Sequence, residues 1–262
     1  MKIFIIEGYT ERGNVMFDAQ KTENQITTYM ERSLHASLKK HFCPSEDMHE
    51  IKMGRYVADA CDGKTIFEIQ TGNLAPLSKK LNFYLENTDF DIVVVRPIAK
   101  NRRIFWLNEH GEIEKAPKIS PRHENMASGI ADLFYVKEFL GNERVSFCFP
   151  IMEIDEVRLL DGYGKQKKIR ATSADRIAGE IYEMKYIKNE KDIKCELFPF
   201  LPDNTFTREE LSKILKLKGL KLWSAQKLLI ELELLTCEKD GRRLIFKKQN
   251  NPLKQQKTLI KN

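Results

Sequence analysis

The 262 residues contain no Gly-x-x-x-x-Gly-Lys-Ser/Thr loop, no Gly-x-Ser-x-Gly elbow and no His-x-x-x-His pair. Phosphate-loop NTPases, α/β-hydrolases and the common zinc hydrolases are thereby excluded, since each needs its cradle, nucleophile or ligands at that spacing. Cysteine is sparse: positions 43, 61, 148, 195 and 237 are odd in number, scattered, and never form Cys-x-x-Cys. That argues against structural zinc and for reduced thiols, as in a cytoplasm. No apolar run approaches the ~20 residues of a membrane span. The opening Met1–Glu7 turns acidic too soon for a signal peptide. No membrane partner is expected.

What is present is 42% hydrophobic and 31% charged residues, the composition of a soluble globular chain. Its length suits one large domain or two modest ones with an ample core. Charge is unevenly spread. Residues 206–262 hold 14 Lys and Arg against 6 Asp and Glu, whereas the rest of the chain is slightly acidic. The net +6 therefore sits in the last quarter, an asymmetry suited to a polyanion.

The most informative stretch is Gly54–Thr71. Asp62-Gly63 between β-branched and aromatic flanks predicts a hairpin with a two-residue type I′ turn. That turn sets Asp59 against Ile66, Val57 against Glu68 and Arg55 against Gln70, so Asp59, Glu68 and Gln70 share one face. Asp59 is then diagonal to Glu68 at roughly 7–8 Å between backbones, a separation at which two carboxylates can hold one hard cation. An ordinary solvated hairpin with polar residues outward carries the same pattern.

Helical spacing runs from Thr22 to Phe42 (Ile26, Met30, Leu34, Leu38, Phe42) and from Asn73 to Leu85 (Leu74, Leu77, Leu81, Tyr84). Asp91–Arg96 reads as a buried central strand. A hairpin about His110-Gly111, a helix over 129–140 and a long strand over 145–158 follow. Over roughly residues 22–98 the order helix, strand, turn, strand, helix, strand resembles the core of the PD-(D/E)XK nuclease-like superfamily. The resemblance implies an α/β fold, a mixed sheet flanked by helices with a restriction-endonuclease-like core, over residues 1–200. It places Asp59 and Glu68 at that family's metal-binding acidic positions and Gln70 where its Lys usually stands. Glu-x-Gln is similar to the variant seen in competence-protein and some restriction-enzyme branches. Glu31 on the first helix would assist the metal. Lys79 or Lys80 would supply the charge that a neutral amide cannot. The implied cofactor is Mg²⁺, with Mn²⁺ able to substitute.

The segment 161–170 has glycines, a tyrosine and basic residues including Lys167 and Lys168, and reads either as a phosphate-contacting loop or as a solvated linker. Further on, Thr207-Arg208-Glu209-Glu210 is a capping box. A second helix follows Gly219 with Ser224 as a candidate cap, and then Asp240-Gly241 turns a basic hairpin. Over 206–248 this resembles the winged-helix family, which implies a groove-entering helix carrying Lys221, Ser224, Gln226 and Lys227. The implied wing carries Lys239, Arg242, Arg243, Lys247 and Lys248. Residues 249–262 read as a basic, disordered tail. The expected partner is double-stranded DNA, with a homodimer left open. Two functions from different classes remain: a metal-dependent DNA endonuclease of restriction or repair type, and a non-catalytic DNA-binding protein on a degenerate nuclease fold. A winged helix serving as a protein adaptor is a third.

Overall fold

The computed structural model describes residues 33–249 apart from 109, 111, 161–170 and 242. Thr22, Glu31, Lys167, Lys168, Arg242 and the C-terminal tail thus lie outside the described residues. In chain order the elements are α1 (Ser33–Phe42), β1 (His49–Met53), β2 (Tyr56–Cys61), β3 (Thr65–Ile69), α2 (Ser78–Asn87) and β4 (Asp91–Val95). Then come β5 (Ile98–Leu107), β6 (Ile113–Ile119), α3 (Met126–Asp132), β7 (Val145–Leu159), β8 (Thr172–Ile187) and α4 (Glu190–Leu197). The chain closes with β9 (Phe206–Thr207), α5 (Arg208–Leu215), α6 (Gly219–Glu231), β10 (Leu235–Asp240) and β11 (Arg243–Lys248). The architecture is α/β, with a mixed sheet flanked by helices.

Two compact units can be distinguished. The larger comprises, among the described residues, 39–100, 124–152, 181–241 and 243–249. In it β1, β2 and β3 form an antiparallel meander, β4 lies parallel beside β3, and β7 lies parallel beside β4. The turn from antiparallel to parallel pairing occurs across α2, the crossover that parallel strands require. β4 is the apolar run Asp91-Ile-Val-Val-Val, as a central strand should be. In the smaller unit (described residues 33–38, 101–123, 153–160 and 171–180, apart from 109 and 111) β5 and β6 pair antiparallel. Gly179 of β8 there lies so close to Glu153 that a Cβ would meet it at 2.8 Å.

The apolar spacing of the 73–85 segment holds: Leu74, Leu77, Leu81 and Tyr84 are all buried. Asn73 accepts the Ala75 N–H at 2.9 Å, and a 3₁₀ turn over Ala75–Leu77 leads into α2. Ile66, Ile92, Val94, Phe147 and Phe149 of the sheet share one cluster with the α2 side chains. On the opposite face Ala60 and Phe67 cluster with Cys43 against Phe42 and Val93. The cluster on the α2 side also takes in Leu211 and Leu215 of α5 and Leu222, Ala225, Leu228 and Leu229 of α6.

α3 packs its Gly129 against the sheet, where a Cβ would stand 2.7 Å from Ile98 and 2.8 Å from Phe149, both fully buried. Gly129→Ala should therefore cost about 1–3 kcal/mol through overpacking rather than gain helix propensity. Denaturant titration checks the sign.

Several expectations change. The helix expected over 129–140 is α3 followed by a 3₁₀ turn over Leu133–Phe139 that is non-helical at Val136. The strand β8 and the helix α4 had no counterpart in the sequence reading. α6 begins at Gly219, five residues before the expected cap Ser224.

Candidate active site

The tip between β2 and β3 is displaced from the expected one. Cys61 pairs with Ile66, and the Asp62 N–H donates to Thr65 O at 3.2 Å, which leaves Gly63 and Lys64 at the tip. A type I′ turn needs positive φ at both central residues, and of Asp62 and Gly63 only Gly63 has it (φ +88°). The Asp62 carboxylate instead accepts the N–H groups of Lys64 (2.9 Å) and Thr65 (2.7 Å), closing the turn on its own side chain. The register moves by one residue on each strand. The paired stretch ends at Ala60–Phe67, and the same register carried one residue further would set Asp59 against Glu68 rather than Ile66. An even displacement leaves the facing of these two residues unchanged, and the Asp59 charge reaches Glu68.

That face is the one α2 covers. Glu68 is 0% exposed, yet it is a carboxylate in a layer of Ile66, Val94 and Leu81. Its two oxygens have separate partners. The Lys80 ammonium donates to Oε2 at 2.6 Å, and the Tyr84 hydroxyl donates to Oε1 at 3.0 Å. Lys80 and Tyr84 are four apart on α2 and so share one helical face. Of the two lysines considered, Lys80 turns inward with 18% of its side chain exposed, while Lys79 is exposed. Half-buried Asp59 accepts the Ile69 N–H through Oδ2 at 2.6 Å. Burial, and then the Asp59 charge, push the Glu68 carboxyl up to about 7, with Lys80 and Tyr84 opposing. Burial and the neighbouring Glu68 carboxylate likewise raise the Tyr84 phenol.

Gln70 follows β3, half-buried, with its N–H donating to Val95 O at 2.8 Å. Among the described residues no group of three or more His, Cys, Asp and Glu is placed to hold a metal ion. Asp59 and Glu68 thus stand as a pair of carboxylates. Phe42 at the end of α1 packs at a tilt of 37° against Phe67, which faces away from Glu68. Tyr84 was missed as a polar participant. Its spacing marked it as core, and its position four residues after Lys80 was the available signal.

The expected DNA-facing residues divide. Lys227 and Arg243 are exposed, as are Lys239 and Lys247. Lys221 is partly exposed but ion-paired with Asp132 of α3. Ser224 (2% exposed) and Gln226 (5%) are interior, contrary to the surface expected for them: both flank the buried Ala225, and Gln226 lies four residues after Leu222 and three before Leu229 on the same helical stripe. Lys248, expected on the outer hairpin, is tied to Asp203 at 2.7 Å and to the carbonyls of Phe198 and Leu201.

Asp132 also receives the Arg96 guanidinium, Nε to Oδ2 at 3.2 Å, while Arg96 donates to Glu124 at 3.0 Å. Arg96 and Lys221, with Gly72, Asn73, Tyr135, Leu220 and Ser224, line a cleft of about 340 Å³ near the carboxyl ends of β3 and β4. Asp132 lines the same cleft and pairs with both cations, and Glu124 gives Arg96 a second carboxylate. Burial pulls the Arg96 pKa down and its two acidic partners more than restore it.

Among the described residues no helix is long and apolar enough to cross a membrane. All five cysteines are free thiols. No curated protein and no solved structure matches the chain. One family model does match, that of "Domain of unknown function (DUF8091)", over residues 32–188, a span that holds Asp59, Glu68, Lys80 and Tyr84 and stops before α4. That span is more than half of the sequence, and the chain belongs to this family.

Proposed function

We propose that the protein is a metal-dependent DNA endonuclease whose site is built on Asp59, Glu68, Gln70 and Lys80. The observation that carries this reading is the pairing of two electrostatically coupled carboxylates from adjacent strands with a lysine from the following helix. A carboxyl raised to about 7 by burial and by a second carboxylate is a group whose charge a cation would stabilise. The donors are hard oxygens, which suits Mg²⁺ or Mn²⁺, and Mg²⁺ in particular keeps several waters when only one or two carboxylates bind it. Bound there, the ion would lower the pKa of a water and offset charge on the scissile phosphate. Gln70 would orient the attacking water, and Lys80 would bring the positive charge that Gln70 lacks. Support for the fold assignment is the order α1, β1–β3, α2, β4, with the acidic pair on β2 and β3. The free thiols are consistent with a cytoplasmic setting.

Support for a winged helix over 206–248 is the order α5, α6, β10, β11, with β9 pairing to β11. The capping box is formed, with Thr207 accepting from the Glu210 N–H at 3.2 Å. In this reading Lys227, Arg243, Lys239 and Lys247 face phosphates, whereas Lys248 and Lys221 are committed to internal ion pairs. Replacing Arg243 and Lys247 by Ala should weaken binding to all duplex sequences and flatten the logarithmic salt slope by roughly one per lost contact. Lys248→Ala should instead lower stability, leaving Phe198 O, Leu201 O and Asp203 without their partner. Equal slopes for the parent and the double variant would remove the hairpin from the DNA surface.

The second reading, a DNA-binding protein without chemistry, is favoured by one feature: both Glu68 oxygens already hold donors. Nicking of supercoiled plasmid with Mg²⁺ or Mn²⁺, against an Asp59→Ala control, separates the two. Cleavage by the parent alone supports the enzyme. No cleavage by either supports the binding protein.

A further inference from the structure

We infer that Tyr84 and Lys80 divide the Glu68 carboxylate between them, Tyr84 as a permanent clamp on Oε1 and Lys80 as an exchangeable occupant of Oε2 that a divalent cation must displace. The inference rests on the metal-site reading above. Tyr84 is fully buried and its hydroxyl has a fixed partner in Glu68 at 3.0 Å. A phenol on a two-torsion side chain, packed among Tyr56 and Phe83, has little freedom to leave. Lys80 differs. It reaches Oε2 on a flexible four-carbon stem, keeps part of its side chain in solvent, and lies 5.9 Å from the Tyr84 ring centroid.

An ammonium and a divalent cation cannot both sit on one carboxylate oxygen, since like charges a few ångströms apart repel strongly in a dry site. Lys80 is therefore a competitor for the site as well as its counter-ion. Once off Oε2, its charge is free for a phosphate. Tyr84 keeps the carboxylate from rotating while this exchange occurs, so that Glu68 presents one oxygen. Partners that orient a ligating carboxylate typically govern metal affinity by 10–100-fold. Tyr84 is thus a positioning residue, and Lys80 holds the coordination place until the ion arrives.

Opposite signs are expected from two variants, which a merely structural role would not give. Titration calorimetry with Mn²⁺ alone at pH 8.5, on the full chain without DNA, should show Lys80→Met binding about tenfold tighter than the parent. Lys80→Arg, which keeps the charge, should return toward the parent. Tyr84→Phe should bind at least about tenfold more weakly. Near-ultraviolet circular dichroism confirms that each variant is folded. Lys80→Met should nonetheless cleave plasmid more slowly, because the charge for the phosphate is gone.

Mn²⁺ binding that is unchanged or weaker in Lys80→Met, or unchanged in Tyr84→Phe, overturns the exchange while leaving the metal site standing. A parent that takes up no Mn²⁺ overturns the metal site and the exchange with it.

Discussion

Asp59→Asn should lower plasmid cleavage by about 1,000-fold or more, the scale of losing a group that organises charge at the reacting phosphate. Duplex affinity should change by less than about twofold, because affinity comes mostly from phosphate contacts elsewhere. The substitution separates charge from structure. An amide oxygen can still accept the Ile69 N–H that Asp59 Oδ2 accepts at 2.6 Å, so the β2–β3 connection survives. What disappears is one of two negative charges. The Glu68 carboxyl, raised in part by Asp59, should then fall below its parent value. Cleavage rates and filter-binding isotherms on the same preparations check both halves. If Asp59→Asn and Glu68→Gln both cleave as well as the parent, the site has no catalytic role and duplex binding is the function that remains.

The acidic face was legible in the sequence for a reason that outlasted an error in detail. Side-chain faces on a strand depend only on parity, so a register wrong by two still placed Asp59 and Glu68 on the α2 side. The turn itself was misread because Asp62 can hydrogen-bond its own loop, and that competes with the type I′ geometry suggested by Asp-Gly. The inward face of α2 was readable from spacing, but spacing treats Tyr84 as a hydrophobe and is blind to its hydroxyl. At α6 the signal pointed the wrong way. Gly219 follows a helix and suggests a C-terminal stop, yet the left-handed position that ends α5 is taken by Lys216 (φ +55°), and Gly219 opens the next helix. Ser224 and Gln226 are interior because the buried face of α6 includes Leu222, one turn before the stripe read from Ala225 onward. β8 left little trace because much of its length faces solvent and shows no clean alternation of apolar and polar residues.

Glu68 should make the protein, free of divalent ions, less stable as pH rises from about 4.5 to about 7. Its carboxyl is displaced upward from 4.5 to about 7 on folding. Across that interval the folded chain keeps a proton that the unfolded chain releases. The stabilisation is complete below 4.5 and is lost as pH climbs through 7. At 1.36 kcal/mol per pH unit the loss is about 3 kcal/mol. Other titrating groups contribute too, so the quantity to measure is the difference between parent and Glu68→Gln in urea unfolding from pH 4.5 to 8. That difference should fall by about 3 kcal/mol in favour of the variant over the range. A flat difference would mean that Lys80 and Tyr84 fully offset burial and that Glu68 titrates as an ordinary carboxyl. Saturating Mg²⁺ supplies the link to function. A cation binds the ionised carboxylate and competes with the proton, so Mg²⁺ should stabilise the parent at pH 8 far more than at pH 5. It should do little for Glu68→Gln at either pH, since the variant has no proton to displace and only one carboxylate left to offer.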